Sequence, residues 1–164
     1  MDLFVWNTAI SFQLLFFIVS GVIFIYIREN SFKFYALYCF FILIYVLSGY
    51  DFNYFGLENL IGQFIGSKNS KVFFWIFDSF LQVIFYSIYT VFSFYFLDLD
   101  KQNKKYFNKV IWLIRVIVII FFFIAMRCFF LKNEELYMNL FILVFLPSFL
   151  LIFWIVILKA FSKT

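Results

Sequence analysis

The sequence predicts an all-α fold, a polytopic membrane helix bundle with five transmembrane helices. Composition is the first observation. Of 164 residues, 66 % are hydrophobic and 13 % charged, against about 45–50 % and about 25 % in soluble domains. A water-soluble globule of this size would have too little polar surface to cover itself. Patterning is the second. The apolar residues fall into five runs, and a hydrocarbon layer about 30 Å thick needs roughly 17–25 of them in a helix. Inside lipid a backbone must satisfy its own hydrogen bonds, so each run is read as a helix.

The first span is 9–27, closed by Arg28-Glu29-Asn30-Ser31. Ahead of it, Met1 to Asn7 holds Asp2 and no basic residue, and no small-x-small site follows, which does not fit a cleavable signal peptide. The second span, 34–50, is the shortest. The third, 72–97, is the longest and contains Asp78 and Gln82. The fourth, 110–130, carries Arg115 and Arg127. The fifth, 140–158, is interrupted by Pro147 and followed by Lys159 and Lys163. In the connection before the third span, Leu57, Leu60, Ile61, Phe64 and Ile65 recur at helical spacing opposite Glu58, Asn59 and Gln63. That pattern predicts a short interfacial helix near 57–65. It either caps a ligand site or rests on lipid headgroups. Gly62 and Gly66 match GxxxG by letter but lie outside the spans, so no dimer motif is read there. Residues 1–164 are expected to form a single transmembrane domain with no soluble domain.

Orientation follows from lysine and arginine in the short loops. Arg28, Lys33, Lys101, Lys104, Lys105, Lys109, Lys159 and Lys163 fall in one set of connections, and Lys68, Lys71 and Lys132 in the other. Eight against three favours an outside N-terminus and an inside C-terminus in the cytoplasmic (inner) membrane. Tyr50, Tyr54 and Trp75 near one face, and Tyr95, Tyr106 and Trp112 near the other, fit aromatic belts. The 31 phenylalanines accompany a joint enrichment in Ile, Tyr, Asn and Lys, which is a composition bias.

Several chemistries are removed. There is no histidine, hence no Ser-His-Asp triad, histidine zinc site or bis-histidine haem. Neither GxSxG nor a glycine-rich phosphate cradle occurs. Cys39 and Cys128 both sit in apolar spans and form no CxxC pair. The net charge of +4 lies between spans and not on one polar face, so nucleic acid is not an expected partner. Catalytic, cofactor and metal residues are all assigned as none, and an enzyme is not expected.

Charges inside spans are the strongest lead, because each is costly in lipid and should face the bundle, a partner or water. Asp78 lies roughly 9 Å into its span and Arg127 roughly 5 Å from the same face, at about 1.5 Å per residue. Together with Gln82, one turn below Asp78, they form a candidate intramembrane polar cluster. It would serve as a ligand pocket, a bistable lock, or an ion pair that fixes packing. Arg115 is placed to snorkel to the opposite headgroups. Pro147 and Ser148 form a candidate kink, with the serine available to a freed carbonyl. Lys101, Lys104, Lys105 and Lys109 form a candidate inner relay loop.

Two stretches carry a resemblance. Arg28-Glu29-Asn30-Ser31-Phe32-Lys33-Phe34-Tyr35-Ala36-Leu37-Tyr38 is a charged turn entering an aromatic run of the type YxxYALY. Tyr95-Phe96-Leu97-Asp98-Leu99-Asp100-Lys101 has the form F-L-D/N-x-x-K at a span exit. Both resemble the bacterial seven-transmembrane receptors with diverse intracellular signalling modules. The resemblance implies signal reception in seven spans, a β-rich domain before them and an output module after them. Five spans are visible here, so the expectation is a truncated sensor or transducer segment lacking its own output module. An outer-face event would be relayed by helix repacking. The expected partners are membrane lipid, further copies of the chain and a separate signalling output protein. The alternative is a small structural or accessory subunit of a membrane transporter or complex. Reporter fusions after residues 30, 60, 105, 135 and 164 test span number and orientation together. The first, third and fifth should report cytoplasm, and a cytoplasmic signal at residue 60 would overturn the topology.

Overall fold

Each of the five apolar runs folds as helix in the computed structural model, which describes residues 3–49, 62–102 and 104–161. The elements are α1 (Leu3–Ile27), α2 (Asn30–Gly49), α3 (Ser67–Phe96), α4 (Leu99–Gln102), α5 (Lys104–Leu131), α6 (Glu134–Leu140), a π-helical turn (Phe141–Phe145) and α7 (Leu146–Phe161). Among the described residues there is no strand. Five segments are long and apolar enough to cross a membrane: Phe4–Ile27, Asn30–Ser48, Asn69–Phe96, Lys104–Leu131 and Glu135–Ile155. The helices start earlier than the apolar runs. Polar residues at their entrances keep the helical hydrogen bonds, and Thr8 and Ser11 bond back to the carbonyls of Phe4 and Asn7 at 2.7 and 2.8 Å. Of the expected interfacial helix, residues 57–61 lie outside the described residues, and 62–65 form one helical turn. Tyr50, Tyr54 and Lys163 also lie outside them.

Three helices end on a non-glycine residue of positive φ: Arg28 at 57°, Asp98 at 52° and Lys132 at 53°. The left-handed conformation reverses the chain within a few residues. It makes consecutive spans antiparallel neighbours. α1 packs on α2, α2 on α3, and α3 on α5 and the fifth span, while α5 also meets α6.

α3 is the central helix. Its inward face carries Ile76, Ser79, Val83, Ser87, Thr90 and Phe94, all buried. The hydroxyls of Ser79, Ser87 and Thr90 bond the carbonyls four residues back, at 3.1, 2.6 and 2.9 Å. Small residues with internally satisfied hydroxyls let neighbouring helices approach closely, and such packing drives association where lipid removes the hydrophobic driving force. α1 contributes least. Among its described residues only Ser20 is buried.

The fifth span has the irregular backbone. Pro147 has no N–H for the Leu143 carbonyl, and its ring crowds the preceding turn. The chain answers by widening that turn, so Leu146 N–H bonds the Phe141 carbonyl in π register. The Ser148 hydroxyl makes no side-chain hydrogen bond among the described residues, so the expected serine rescue is replaced by the π turn. A wider turn brings residues four apart closer to eclipse. Phe141 stacks on Phe145 at 5.2 Å and 18°, Phe145 meets Phe149 at 4.4 Å, and Phe121 of α5 meets Phe145 edge-on at 5.2 Å.

Phe145 is fully buried, whereas Phe123 is 65 % exposed. Phe145→Ala should cost roughly 3–5 kcal/mol, and Phe123→Ala less than about 0.5 kcal/mol. Reversible unfolding in detergent measures both.

A polar cleft between the second, third and fifth spans

Two facing pairs of side chains organise the end of the bundle opposite the lysine-rich turns. Tyr45 and Ser48 lie three residues apart on α2, and Asp78 and Gln82 four apart on α3. These spacings put each pair on one helix face. Ser48 Oγ donates to Asp78 Oδ1, and Gln82 Nε2 donates to Tyr45 Oη at 3.2 Å. Ser48 Oγ also lies 2.9 Å from the Tyr45 carbonyl. A hydroxyl has one proton, so the Tyr45 carbonyl and the Asp78 carboxylate compete for it.

These groups border a cleft of about 400 Å³ lined by Tyr45, Lys71, Phe74, Trp75, Asp78, Ser79, Gln82 and Met138. α2 supplies Tyr45, α6 supplies Met138, and α3 supplies the rest. Lys71 and Asp78 are seven residues apart, two turns on one face and roughly 10 Å along the axis. Among the described residues no three His, Cys, Asp or Glu side chains gather as metal ligands.

The expected cluster is therefore brought together in part. Asp78 and Gln82 share the cleft, and Arg127 does not join them. Its side chain is exposed on α5, and no Asp78–Arg127 ion pair occurs among the described residues, where the recorded ion pair is Lys101–Asp98. Rise per residue had matched the two in depth, but depth says nothing of direction around the axis. The buried face of α5 runs through Phe121, Ala125 and Cys128. Arg127 lies off it, because neighbouring residues do not share a helix face. Tyr45, Ser48 and Lys71 were missed. The signal for them was the paired polar spacing on α2 and the seven-residue spacing from Lys71 to Asp78.

At the lysine-rich end, Lys101, Lys104, Lys105 and Lys109 are all exposed. Lys101 Nζ sits 2.7 Å from Asp98 Oδ1. The Asp98 carboxylate, by hydrogen bond and charge, holds that ammonium above the usual lysine range. Leu99 is buried beneath them and anchors α4. Here the two family-like stretches meet, with Phe34 of α2 stacked on Tyr95 of α3 at 5.2 Å and 11°. Tyr35 and Tyr38 pack on Phe92 and Tyr89 of α3, each at 5.2 Å.

A family model described as 7TM diverse intracellular signalling matches residues 3–164. The chain belongs to that family. No curated protein and no solved structure matches it. The family is named for seven spans, and the described residues of this member contain five. Membership makes it a multi-pass membrane protein of a signalling receptor family, and it gives the contact of Phe34 with Tyr95 a place in that architecture.

Ser48→Ala removes a donor from a carboxylate within the bundle, and should lower stability by roughly 1–3 kcal/mol. Arg127→Gln should stay within about 0.5 kcal/mol. Chemical unfolding of both variants in one detergent separates a cluster built on α2 from one built on α5.

Proposed function

We propose that the chain is the sensor segment of a bacterial signalling receptor in the cytoplasmic membrane, with its N-terminus outside. The cleft is the input site, and the response is a change in how the fifth span packs on α3. One observation carries this: the cleft is walled by three spans, with Tyr45 on α2, Asp78 and Gln82 on α3, and Met138 on α6. A ligand there touches helices that move relative to one another, so it contacts two packings differently, which a shift in equilibrium requires. Met138 precedes the π turn by three residues, so that wall belongs to the least regular backbone of the fifth span. The cleft has one carboxylate and no histidine to serve as acid and base, which supports a non-enzymatic role. The output would pass through Lys101, Lys104, Lys105 and Lys109 to a separate signalling protein. An accessory subunit, by contrast, needs only one fixed packing.

Spin labels at Lys33 and Leu158, both exposed positions, report the distance between α2 and the fifth span. The relay predicts two populations whose ratio changes roughly fivefold or more in Asp78→Asn, the scale of a modest coupling. A single distance unaffected by the substitution would instead fit the accessory role.

A further inference from the structure

We infer that the cleft binds a small water-soluble zwitterion, with its ammonium end against Asp78 and its anionic end against Lys71. The inference rests on the reading of the cleft as the input site and names the chemistry of what enters it. A cleft of about 400 Å³ is of a size that holds a small organic molecule. Its walls include Tyr45, Phe74 and Trp75, with the Met138 thioether beside them. Aromatic faces around a carboxylate are a recognition site for an organic cation. Asp78 accepts one side-chain hydrogen bond, from Ser48, and a carboxylate has about four acceptor positions. It therefore has capacity left for a donor from the ligand.

Lys71 decides between a cation and a zwitterion. It lines the same cleft, nearer its mouth, and makes no ion pair among the described residues. A simple cation bound to Asp78 would meet the like charge of Lys71. A simple anion on Lys71 would meet Asp78. A molecule carrying both charges several ångströms apart satisfies both. The order in depth then selects the source. Lys71 lies two residues into its span and Asp78 nine, so the site wants the ammonium end deep and the anionic end shallow. In a zwitterionic phospholipid the phosphate lies nearer the hydrocarbon and the ammonium nearer water. The charge order is reversed, which favours a solute entering from water, ammonium end first.

The test uses the full chain in phosphatidylglycerol nanodiscs, with Trp6, Trp112 and Trp154 changed to Phe so that Trp75 alone reports. The probes are β-alanine, γ-aminobutyrate, δ-aminovalerate and ε-aminocaproate, with n-pentylamine and valerate as single-charge controls. At least one ω-amino acid should give a saturable change in Trp75 fluorescence, with the controls weaker by roughly tenfold or more. Asp78→Asn, which keeps an acceptor for Ser48, should lose that binding. Lys71→Gln, at an exposed position, should bring ω-amino acid and amine to equal affinity. Failure of all four ω-amino acids, or equal binding of valerate, overturns the inference. So does loss of binding when phosphatidylethanolamine is added to the disc, because the headgroup would then be the occupant. Binding that leaves the Lys33–Leu158 distances unchanged upholds the zwitterion site and removes the relay. Distances that respond to Asp78→Asn without any ω-amino acid binding do the reverse.

Discussion

Hydrocarbon cannot hydrogen-bond, and the structure is organised by that constraint. Each polar group in a span must find a partner within its own helix or on the facing one. The serines and threonines of α3 take the first route through the carbonyl four residues back. Asp78 and Gln82 have side chains too long and too polar for that route, and they reach Ser48 and Tyr45 instead. Two such bonds, one turn apart, fix the register of α2 against α3. Gln13 Nε2 on α1 donates to the Cys39 carbonyl at 3.0 Å, so a polar contact also ties the outermost helix to its neighbour.

Between those bonds, shape holds the helices together. Apolar side chains gain nothing by leaving lipid for protein, so van der Waals fit decides which faces meet. Rings dominate the α2–α3 interface at the lysine-rich end, where Phe34, Tyr35 and Tyr38 lie on Tyr95, Phe92 and Tyr89. Rings also dominate the core of α5 and the fifth span around Phe145. Aromatic pairs tolerate several tilts, as the range from 11° in Phe34–Tyr95 to 66° in Phe121–Phe145 shows. Interfaces of this kind specify proximity more tightly than angle.

The spans were legible because length and apolarity are properties of the sequence itself. Their ends were less so, since Thr8 and Ser11 continue a helix through residues that hydropathy counts as polar. The site was half legible. Rise per residue gave Asp78 and Gln82 the right depth, but azimuth depends on which face packs inward, and that misplaced Arg127. Pro147 correctly marked a disturbance in the fifth span, yet the relief came from a π turn on its N-terminal side and not from Ser148. Backbone register is a collective choice of the whole turn, and one residue does not announce it. The two stretches that suggested the family proved to be neighbours in space, which no reading of either alone would reveal.

The cleft and the Phe34–Tyr95 contact lie at opposite ends of α3, and that helix is unbroken from Ser67 to Phe96. At about 1.5 Å per residue it is a rod some ten turns of backbone cannot easily bend, because any internal kink would strand a carbonyl in lipid. A signal crossing it must therefore travel as a tilt or rotation of the whole rod relative to its neighbours. α2 is held to α3 by hydrogen bonds near the cleft and by rings at the far end, so the bonded end acts as the pivot and the ring-packed end as the part free to swing. The fifth span touches the pivot through Met138 and carries its own backbone irregularity beside it. Small changes at the cleft would then be largest, by leverage, where the lysine-rich loop begins.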